Sequence, residues 1–485
     1  MDGSRASIED MTTAGKPRPR YLYSSSIIPG IVLLSDFFSI VATGILIYIF
    51  WVEYNSYALE YYIFAVSFVV FVSIILLDRA ELYGTSAIMG PVWRSDGILV
   101  GVATSFLFFL SIAFSFHAIE IFSGSWLVGF AASSFLTAWC ARGILRTIFA
   151  QLGKRRVIGR SLVVLGSGQQ AALFLKRLPL IQPPFTEVTG VFDQHHQNMP
   201  TQVEGHPIIG DLDDLVEAAR RAEVDDVVIA MPWTTDNEIK SVVEQLKELP
   251  VSIFVSMDLV GYQLEFRRNV GTKHELPMFE VVQRPITGWS SVVKRIEDLG
   301  LAIAALILLS PLFAMIAILI KIDSPGPILF RQARLGFNNQ EFDIFKFRSM
   351  HHREIPEDQA QQASRGDPRI TKIGRFIRHT SIDELPQLFN VLNGSMSLVG
   401  PRPHALNHNQ EFSEKVRGYF ARHRVKPGIT GWAQVNGWRG ETDTLEKIQA
   451  RTEHDIHYID NWSLAFDIRI LLLTVVSVLF HKSAF

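Results

Sequence analysis

Residues 301–320 read LAIAALILLSPLFAMIAILI, and the way this run meets a bilayer decides how everything after it is placed. A straight helix of about 20 residues reaches about 30 Å, the thickness of a hydrocarbon core. Two features argue against a straight crossing. Pro311 stands mid-run, where it removes a backbone donor and crowds the carbonyl of Ile307, at a cost of about 3 kcal/mol unless the helix bends. Ser310 beside it can supply a replacement hydrogen bond. Lys294 and Arg295 precede the run and Lys321 follows it, so both flanks favour the positively charged, cytoplasmic side. The expectation is a re-entrant helix-break-helix over 299–321, broken at Ser310 and Pro311, with each arm reaching about halfway across. The alternative is a spanning helix that would put everything after Lys321 outside.

Upstream, four more apolar runs occupy 31–52, 61–77, 98–116 and 126–149, each near the length that a membrane helix needs. Four such runs with short links leave almost no polar face for water, so the reading is a four-helix transmembrane bundle over 27–152. Arg5, Lys16, Arg18 and Arg20 precede the first run, Arg79 and Arg94 lie in the second link, and Lys154, Arg155, Arg156 and Arg160 follow the fourth. The other two links carry Glu53, Glu60 and Glu120 without Lys or Arg. The N-terminus and everything after Gln151 are therefore expected in the cytoplasm. Residues 1–26 are polar and contain proline, and read as a disordered N-terminus without the apolar core of a cleaved signal. Only 19% of the 485 residues are charged, against a usual share of about 25%, because these runs displace charge. A net charge of −2 excludes a globally basic nucleic-acid binder. The single cysteine, Cys140, excludes internal disulfides and multi-cysteine metal sites, and in the fourth run it reads as packing.

From Ser161 the pattern changes to short β-rich runs alternating with amphipathic stretches. LVVLG (162–166), EVTGVFD (187–193), VDDVVIAMP (224–232) and VSIFVSMD (251–258) are separated by candidate helices at 169–178, 212–222 and 237–249. Alternation of this kind predicts a Rossmann-like α/β middle domain with a mostly parallel sheet, here over 160–275. Gly166, Gly168 and Ala171 follow the first strand as GxGxxA, and Asp193 ends the next, where an acid could hold a ribose. A dinucleotide site and a purely structural turn both fit these residues. Residues 276–290, with Pro277 and Pro285, read as a linker to a third domain over 291–485.

That third domain carries the candidate chemistry. DIFKFRSM (343–350) alternates Lys346 and Arg348 with aromatics, which in a strand puts both cations on one face. RFIRHTSIDELPQLFNVLNG (375–394) supplies Arg378, Asp383 and Glu384, and SLVGPRP (397–403) holds Arg402 between two prolines. With Arg424, the cations Lys346, Arg348, Arg378 and Arg402 form the expected phosphate-binding set, arginine offering a planar fork for phosphate oxygens. Ser381 to Glu384 can be read as a capping box. Pro386 would then sit at the fifth helical position, whereas proline prefers the first, so a helix opening near Pro386 is the competing reading. It leaves Asp383 and Glu384 just ahead of a helix N-terminus, where a magnesium ion and arginines could gather around a diphosphate.

The motifs KFRSM, TSIDELPQLFNVLNGSMSLVGPRP and KPGITGWAQVNG (426–437) resemble the catalytic domain of the large monotopic phosphoglycosyl transferases, bacterial sugar transferases that begin polysaccharide synthesis on a lipid carrier. Four membrane helices and a Rossmann-like domain ahead of it match the family's larger architecture. The resemblance implies a re-entrant hairpin at Ser310 and Pro311, Mg²⁺ held at the pair Asp383 and Glu384, and an aspartyl nucleophile at Asp383. The implied partners are a UDP-sugar, undecaprenyl phosphate and the bilayer of a bacterial inner membrane, with the α/β catalytic domain on the cytoplasmic face. The tail GWAQVNGWRGETDTLEK (431–447) is more similar to the glucose-transferring branch than to the galactose branch.

The residues allow the implied reaction. An ionised Asp383 can attack the sugar-linked phosphorus of a UDP-sugar and expel UMP, and undecaprenyl phosphate can then displace the aspartate. Lys346, Arg378 and Arg402 would offset the charge that repels this nucleophile, and Glu384 fits either a metal ligand or a base. A rival enzyme, a membrane-anchored nucleotide-sugar dehydratase, would need a Tyr followed four residues later by Lys, and none of the 11 tyrosines has one. A non-enzymatic scaffold leaves the cation and carboxylate cluster unexplained. His454 and His457 share a helix spacing but lack a third metal ligand, and residues 351–366 read as a mobile loop, a lid over the nucleotide. Residues 466–480 read as an interfacial helix. The sequence does not fix the oligomeric state, a homodimer being one option.

Overall fold

A computed structural model describes residue 21 and residues 23–480 except 53–58, 91–93, 182–183, 195–200, 222, 233–235, 257–277, 352–366, 405–411, 414, 417 and 439–443. The chain forms two compact units, one built from Lys16–Ser161 with Pro179–Glu187, the other from Leu162–Leu178 with Val188–Phe485.

The first unit holds four apolar helices, α1 (Ile28–Trp51), α2 (Leu59–Arg79), α3 (Ser95–Ser115) and α4 (Gly124–Lys154), each long and apolar enough to cross a membrane. Small polar residues bring the helices close, as packing in lipid requires. The Ser73 and Ser105 hydroxyls pair at 2.7 Å between α2 and α3, and Trp126 Nε1 donates to the Gly44 carbonyl at 3.3 Å between α4 and α1. A buried ion pair, Asp36 to Arg142 at 2.5 Å, adds a charged link between α1 and α4, and the Tyr83 hydroxyl donates to Asp36 at 3.0 Å. Charge at membrane depth survives only when matched in this way. Two expectations change here. Cys140 is exposed on the outside of α4 and is not packed. Disorder expected through residue 26 is corrected over 23–26, where Tyr23 bridges Ile158 and the Ser24 side chain accepts from the Ser26 amide; the preceding residues, except 21, lie outside the described set.

The second unit contains a seven-stranded sheet in the order β3-β4-β2-β1-β5-β6-β7. Its strands are β1 (Arg160–Leu165), β2 (Thr186–Phe192), β3 (Gln202–Val203), β4 (His206–Gly210), β5 (Asp226–Ile229), β6 (Ser252–Ser256) and β7 (Met278–Val282). Helices α5 (Gln169–Ile181), α6 (Leu212–Arg220) and α7 (Asp236–Leu246) alternate with them. Counting strands 1, 2, 4, 5 and 6 alone gives the spatial order 3-2-1-4-5, that of a doubly wound fold without its sixth strand. β1 pairs in parallel with β5 from Leu162 opposite Asp226, and β5 with β6 from Asp226 opposite Ser252. Val163, Leu165, Val227, Ile229 and Ile253 form the apolar centre.

The linker expected over 276–290 is corrected, because Met278–Val282 closes the sheet as an antiparallel edge strand beside β6. Its apolar, β-branched residues favour pairing, and the flanking prolines suit the ends of an edge strand. The middle and catalytic portions are joined further. Asn338 donates to the Ala219 and Arg220 carbonyls at 2.9 and 2.6 Å, and Arg424 to the Gln283 carbonyl at 2.9 Å.

The catalytic portion starts with α8 (Trp289–Asp323), which is helical along its whole length with Pro311 inside. The Ser310 hydroxyl donates to the Ile307 carbonyl at 2.9 Å, the acceptor that proline leaves without its amide partner. The expected break therefore takes the form of a substituted hydrogen bond, not an interruption of the helix. Ala302, Ile316 and Ile320 face inward, while Ile307 and Leu308 are 71% and 79% exposed. After it come the hairpin of β8 (Leu329–Leu335) and β9 (Glu341–Phe347), helices α9 (Lys372–His379) and α10 (Gln387–Asn393), and the parallel pair β10 (Ser397–Val399) and β11 (Gly428–Thr430). Helices α11 (Leu445–Asp460) and α12 (Leu464–Phe480) complete it, the last covering the stretch expected to lie at an interface. Their shared core includes Ala302, Ile344, Leu388, Leu398, Tyr458 and Ile470.

Candidate active site

The site grows from the turn between α9 and α10. Ser381 takes a left-handed conformation, φ 57°, without a side-chain cap, and a single 3₁₀ turn, Ile382–Glu384, follows. Pro386 is the N-cap of α10. The capping-box alternative therefore does not form, and the carboxylate pair lies just ahead of α10, as the proline argument expects. A buried amide fixes the partner strand. Asn390 donates to the Asp343 carbonyl at 2.7 Å and accepts from the Phe345 amide at 2.9 Å, which seats β9 on α10 and aims Lys346 at the pair.

Glu384 is clamped. Its Oε1 accepts from Lys346 Nζ at 2.9 Å and from Arg402 Nη2 at 2.6 Å, and its Oε2 from Arg402 Nη1 at 3.1 Å. Arg402 is steered by the backbone: the Gly428 amide donates to the Pro401 carbonyl at 2.9 Å, and Arg422 donates to the Arg402 carbonyl at 2.7 Å. Burial alone would raise the Glu384 carboxyl, but the charges of Arg402 and Lys346 outweigh it and hold the group well below its ordinary value. Asp383 goes the other way. Burial, then the charge of Glu384, push its carboxyl up to about 6 against the pull of Lys346, Arg378 and Arg402. Two adjacent carboxylates thus differ in kind, one locked as an anion by cations, the other poised near neutrality with cations around it.

Of the expected phosphate-binding residues, the structure brings Lys346, Arg402 and Arg378 to the carboxylates. It places two elsewhere. β9 ends at Phe347, so the alternation that paired Arg348 with Lys346 stops one residue early. Arg348 is buried and donates instead to the Ser324 carbonyl at 2.6 Å and the Pro325 carbonyl at 3.0 Å, at the C-terminal end of α8. Arg424 is spent on the Gln283 carbonyl and on Asp460 at 3.6 Å.

Sequence reasoning missed a second layer. His404, Tyr419, Arg422, Arg451 and Asp455 form a buried network, with Arg422 on Asp455 at 2.7 Å and on His404 at 2.7 Å, and Arg451 on His404 at 3.0 Å. Burial and the charges of Arg422 and Arg451 keep His404 well below its ordinary value, so it stays neutral and accepts. The network holds the backbone that presents Arg402. Arg334, lowered to about 10 by burial and by the Arg402 charge, adds another cation beside the pair. Tyr419 with Arg422 and Arg451 with Asp455 each share a helix, but these two helices, His404 and Arg334 come from separate segments that no spacing in the sequence joins.

For a divalent metal, no group of three or more His, Cys, Asp or Glu side chains is present among the described residues. Two adjacent carboxylates among cations nevertheless suit Mg²⁺, which takes one or two carboxylates and completes its shell with substrate phosphates and water. Both oxygens of Glu384 already accept hydrogen bonds, so Asp383 is the more available oxygen donor. His454 Nδ1 donates to the Ala450 carbonyl of its own helix at 2.7 Å, which fits a helix surface. The lid expected after His351 lies outside the described residues, apart from His351 itself.

In the middle domain, Gly166 has φ 120°, and a Cβ there would meet the Ala230 carbonyl oxygen at 2.6 Å. The Ser167 hydroxyl donates to Asp193. Both the left-handed backbone and the close approach of Ala230 thus require glycine at 166, and Asp193 accepts from Ser167.

Residues 289–481 match the family described as "Bacterial sugar transferase", and residues 79–256 match a family described as "CoA-binding domain". The UDP-glucose:undecaprenyl-phosphate glucose-1-phosphate transferase of Escherichia coli (strain K12) is 43% identical over 299 residues, 62% of this chain and 63% of that protein. A protein of the same name from Klebsiella pneumoniae is 43% identical over 276 residues, 57% of this chain and 59% of its own length. The matched stretch thus spans under two thirds of those two relatives. A third, from Xanthomonas campestris pv. campestris, also carries that name and is 35% identical over 490 residues, covering 96% of this chain and 97% of the relative.

Proposed function

The chain belongs to the bacterial sugar transferase family, and from that premise we propose that it transfers glucose 1-phosphate from UDP-glucose to undecaprenyl phosphate, releasing UMP. The observation that carries the reading is the division of labour in the carboxylate pair. Glu384 is held by Lys346 and Arg402, while Asp383, pushed up to about 6, sits among the same cations. In the first step an Asp383 oxygen forms a bond to the sugar-linked phosphorus as the bond to UMP breaks, and UMP departs with the electron pair. In the second, an oxygen of undecaprenyl phosphate forms its bond to the same phosphorus, and the Asp383 carboxylate leaves. Lys346, Arg378 and Arg402 stabilise the phosphoryl oxygens through both steps, in a pocket whose cations are placed before substrate arrives. Mg²⁺ held by Asp383 and Glu384 with the diphosphate would supply further charge neutralisation there.

The placement of this chemistry follows from α8. Near its start Arg295 donates to the Val391 and Leu392 carbonyls at 2.7 and 2.8 Å, and Asp298 accepts from the Ser397 hydroxyl at 2.9 Å. At its end Asp323 accepts from the Ile373 amide at 3.1 Å, and Arg348 donates to the Ser324 carbonyl. Both flanks are thus tied to one polar α/β portion. That supports a re-entrant path in which α8 enters and leaves the bilayer on the cytoplasmic face of a bacterial inner membrane, in agreement with its flanking cations. The test is a panel of UDP-sugars, with undecaprenyl phosphate and Mg²⁺, assayed for UMP release by the purified full chain. UDP-glucose should be turned over fastest. A faster UDP-galactose would reassign the sugar, and no UMP from any donor would reject the reaction.

A further inference from the structure

A cleft of about 270 Å³ opens directly beside Glu384 and Ser381. Leu385, Leu388, Ile429 and Leu471 line it, together with Thr474 and Ser477 of α12. The Thr430 and Thr474 hydroxyls pair with each other at 2.7 Å, while Gln434 Oε1, also on the wall, is buried without a hydrogen-bond partner among the described residues. The volume falls just below the ~300–1,000 Å³ of sites that enclose a whole drug-sized ligand, which suits one end of a chain better than a nucleotide.

Its two ends differ in chemistry. At one side it is lined by Glu384, whose carboxylate is held by Lys346 and Arg402, so two cations stand one side chain behind the cleft wall, a setting for a phosphate. The outer end is α12. Leu471, Thr474 and Ser477 face the cleft at helical spacing, while Leu472, Leu473, Val475 and Val476 point outward and are exposed. Ile470 and Leu471 also join the core that holds Ala302 and Leu306 of α8, so the cleft runs into the apolar surface that α8 and α12 present.

We propose that this cleft receives the first isoprene units of the polyprenyl phosphate acceptor, with the phosphate toward Lys346 and Arg402 and the chain leaving along α12 into the bilayer. The assignment rests on the transferase reading and adds to it a seat for the lipid. Burial of one branched five-carbon unit would supply binding energy next to the reacting phosphate, and would fix its oxygen's approach to phosphorus.

The probe is a polyprenyl phosphate carrying a diazirine in its first isoprene unit, added to the wild-type full chain in lipid nanodiscs and irradiated. Adducts should fall in the segments 380–398, 429–435 or 464–477, and excess undecaprenyl phosphate should suppress them at least about tenfold. Competed adducts confined to other segments, or no competed adduct, would overturn the proposal. In a second arm, Leu471→Trp should raise the acceptor KM about tenfold or more, while the donor KM does not follow. An unchanged acceptor KM would count against the cleft. Where Leu471→Trp loses all activity, the wild-type photolabelling decides alone. The transferase reading fails by a different sign, the absence of UMP from the wild-type chain supplied with UDP-glucose and acceptor.

Discussion

Arg348→Ala separates what the sequence implied from what the fold does with this residue. In the structure the guanidinium caps the end of α8, donating to the Ser324 carbonyl at 2.6 Å, the Pro325 carbonyl at 3.0 Å and the Ser324 hydroxyl at 3.0 Å. The last carbonyls of a helix have no partner within it, and burying them unpaired is costly. Arg348 is 5% exposed, so water does not readily replace it. Hydrogen bonds from a charged donor contribute about 1.5–3 kcal/mol each, which for the two carbonyl contacts gives about 3–6 kcal/mol of local stability. The loss should appear as faster hydrogen exchange at 318–328 and a lower midpoint of thermal inactivation in detergent. Donor KM should stay within about twofold for the protein that remains folded. Arg348→Lys should recover only part, because an ammonium cannot reproduce the fork. A stable Arg348→Ala protein with a donor KM raised tenfold would refute the reasoning and return Arg348 to the phosphate-binding set.

As the proposed nucleophile, Asp383, with its carboxyl pushed up to about 6, would have to be ionised, so donor kcat/KM should fall as pH drops through about 6, approaching tenfold per unit below it. Glu384→Gln removes a neighbouring negative charge and should move that inflection to lower pH; a profile flat from pH 5 to 8 in the wild type would contradict this. Asp36→Asn strips Arg142 of its buried partner and should destabilise the first unit by about 3–5 kcal/mol, whereas Asp36→Leu with Arg142→Leu should recover most of it, as read by thermal aggregation in detergent. With Cys140 replaced by Ser, Ser290→Cys and Pro325→Cys should both resist a membrane-impermeant thiol reagent applied to intact cells, and labelling at 325 alone would show that α8 crosses.

Patterns carried by local repetition were legible. The four apolar runs, the strand and helix alternation after Ser161, and Pro386 as a helix opener each rest on neighbours in sequence, and each reappears in the structure. Failures came where one residue of register or a distant partner decided the outcome. Arg348 left the site because β9 stops at Phe347. Met278–Val282 became a strand because β6 offered an unpaired edge, which no inspection of 276–290 alone could reveal. Arg424 meets Gln283 across 141 positions, and the layer of His404, Arg422, Arg451 and Asp455 is assembled from separate segments. Arg142 was hidden differently. It lies inside an apolar run, where its meaning depends on Asp36 over a hundred residues away.

The central claim is that sugar phosphate rests on Asp383 between donor and acceptor. It is tested most directly by incubating the purified full chain with UDP-glucose and Mg²⁺ in the absence of any lipid acceptor, then quenching and weighing the intact protein. The account predicts about one UMP released per active site and a mass gain of one hexose phosphate, with neither signal in Asp383→Asn. No mass gain and no UMP until undecaprenyl phosphate is added, with intersecting double-reciprocal lines, would mean direct attack by the lipid and would contradict it.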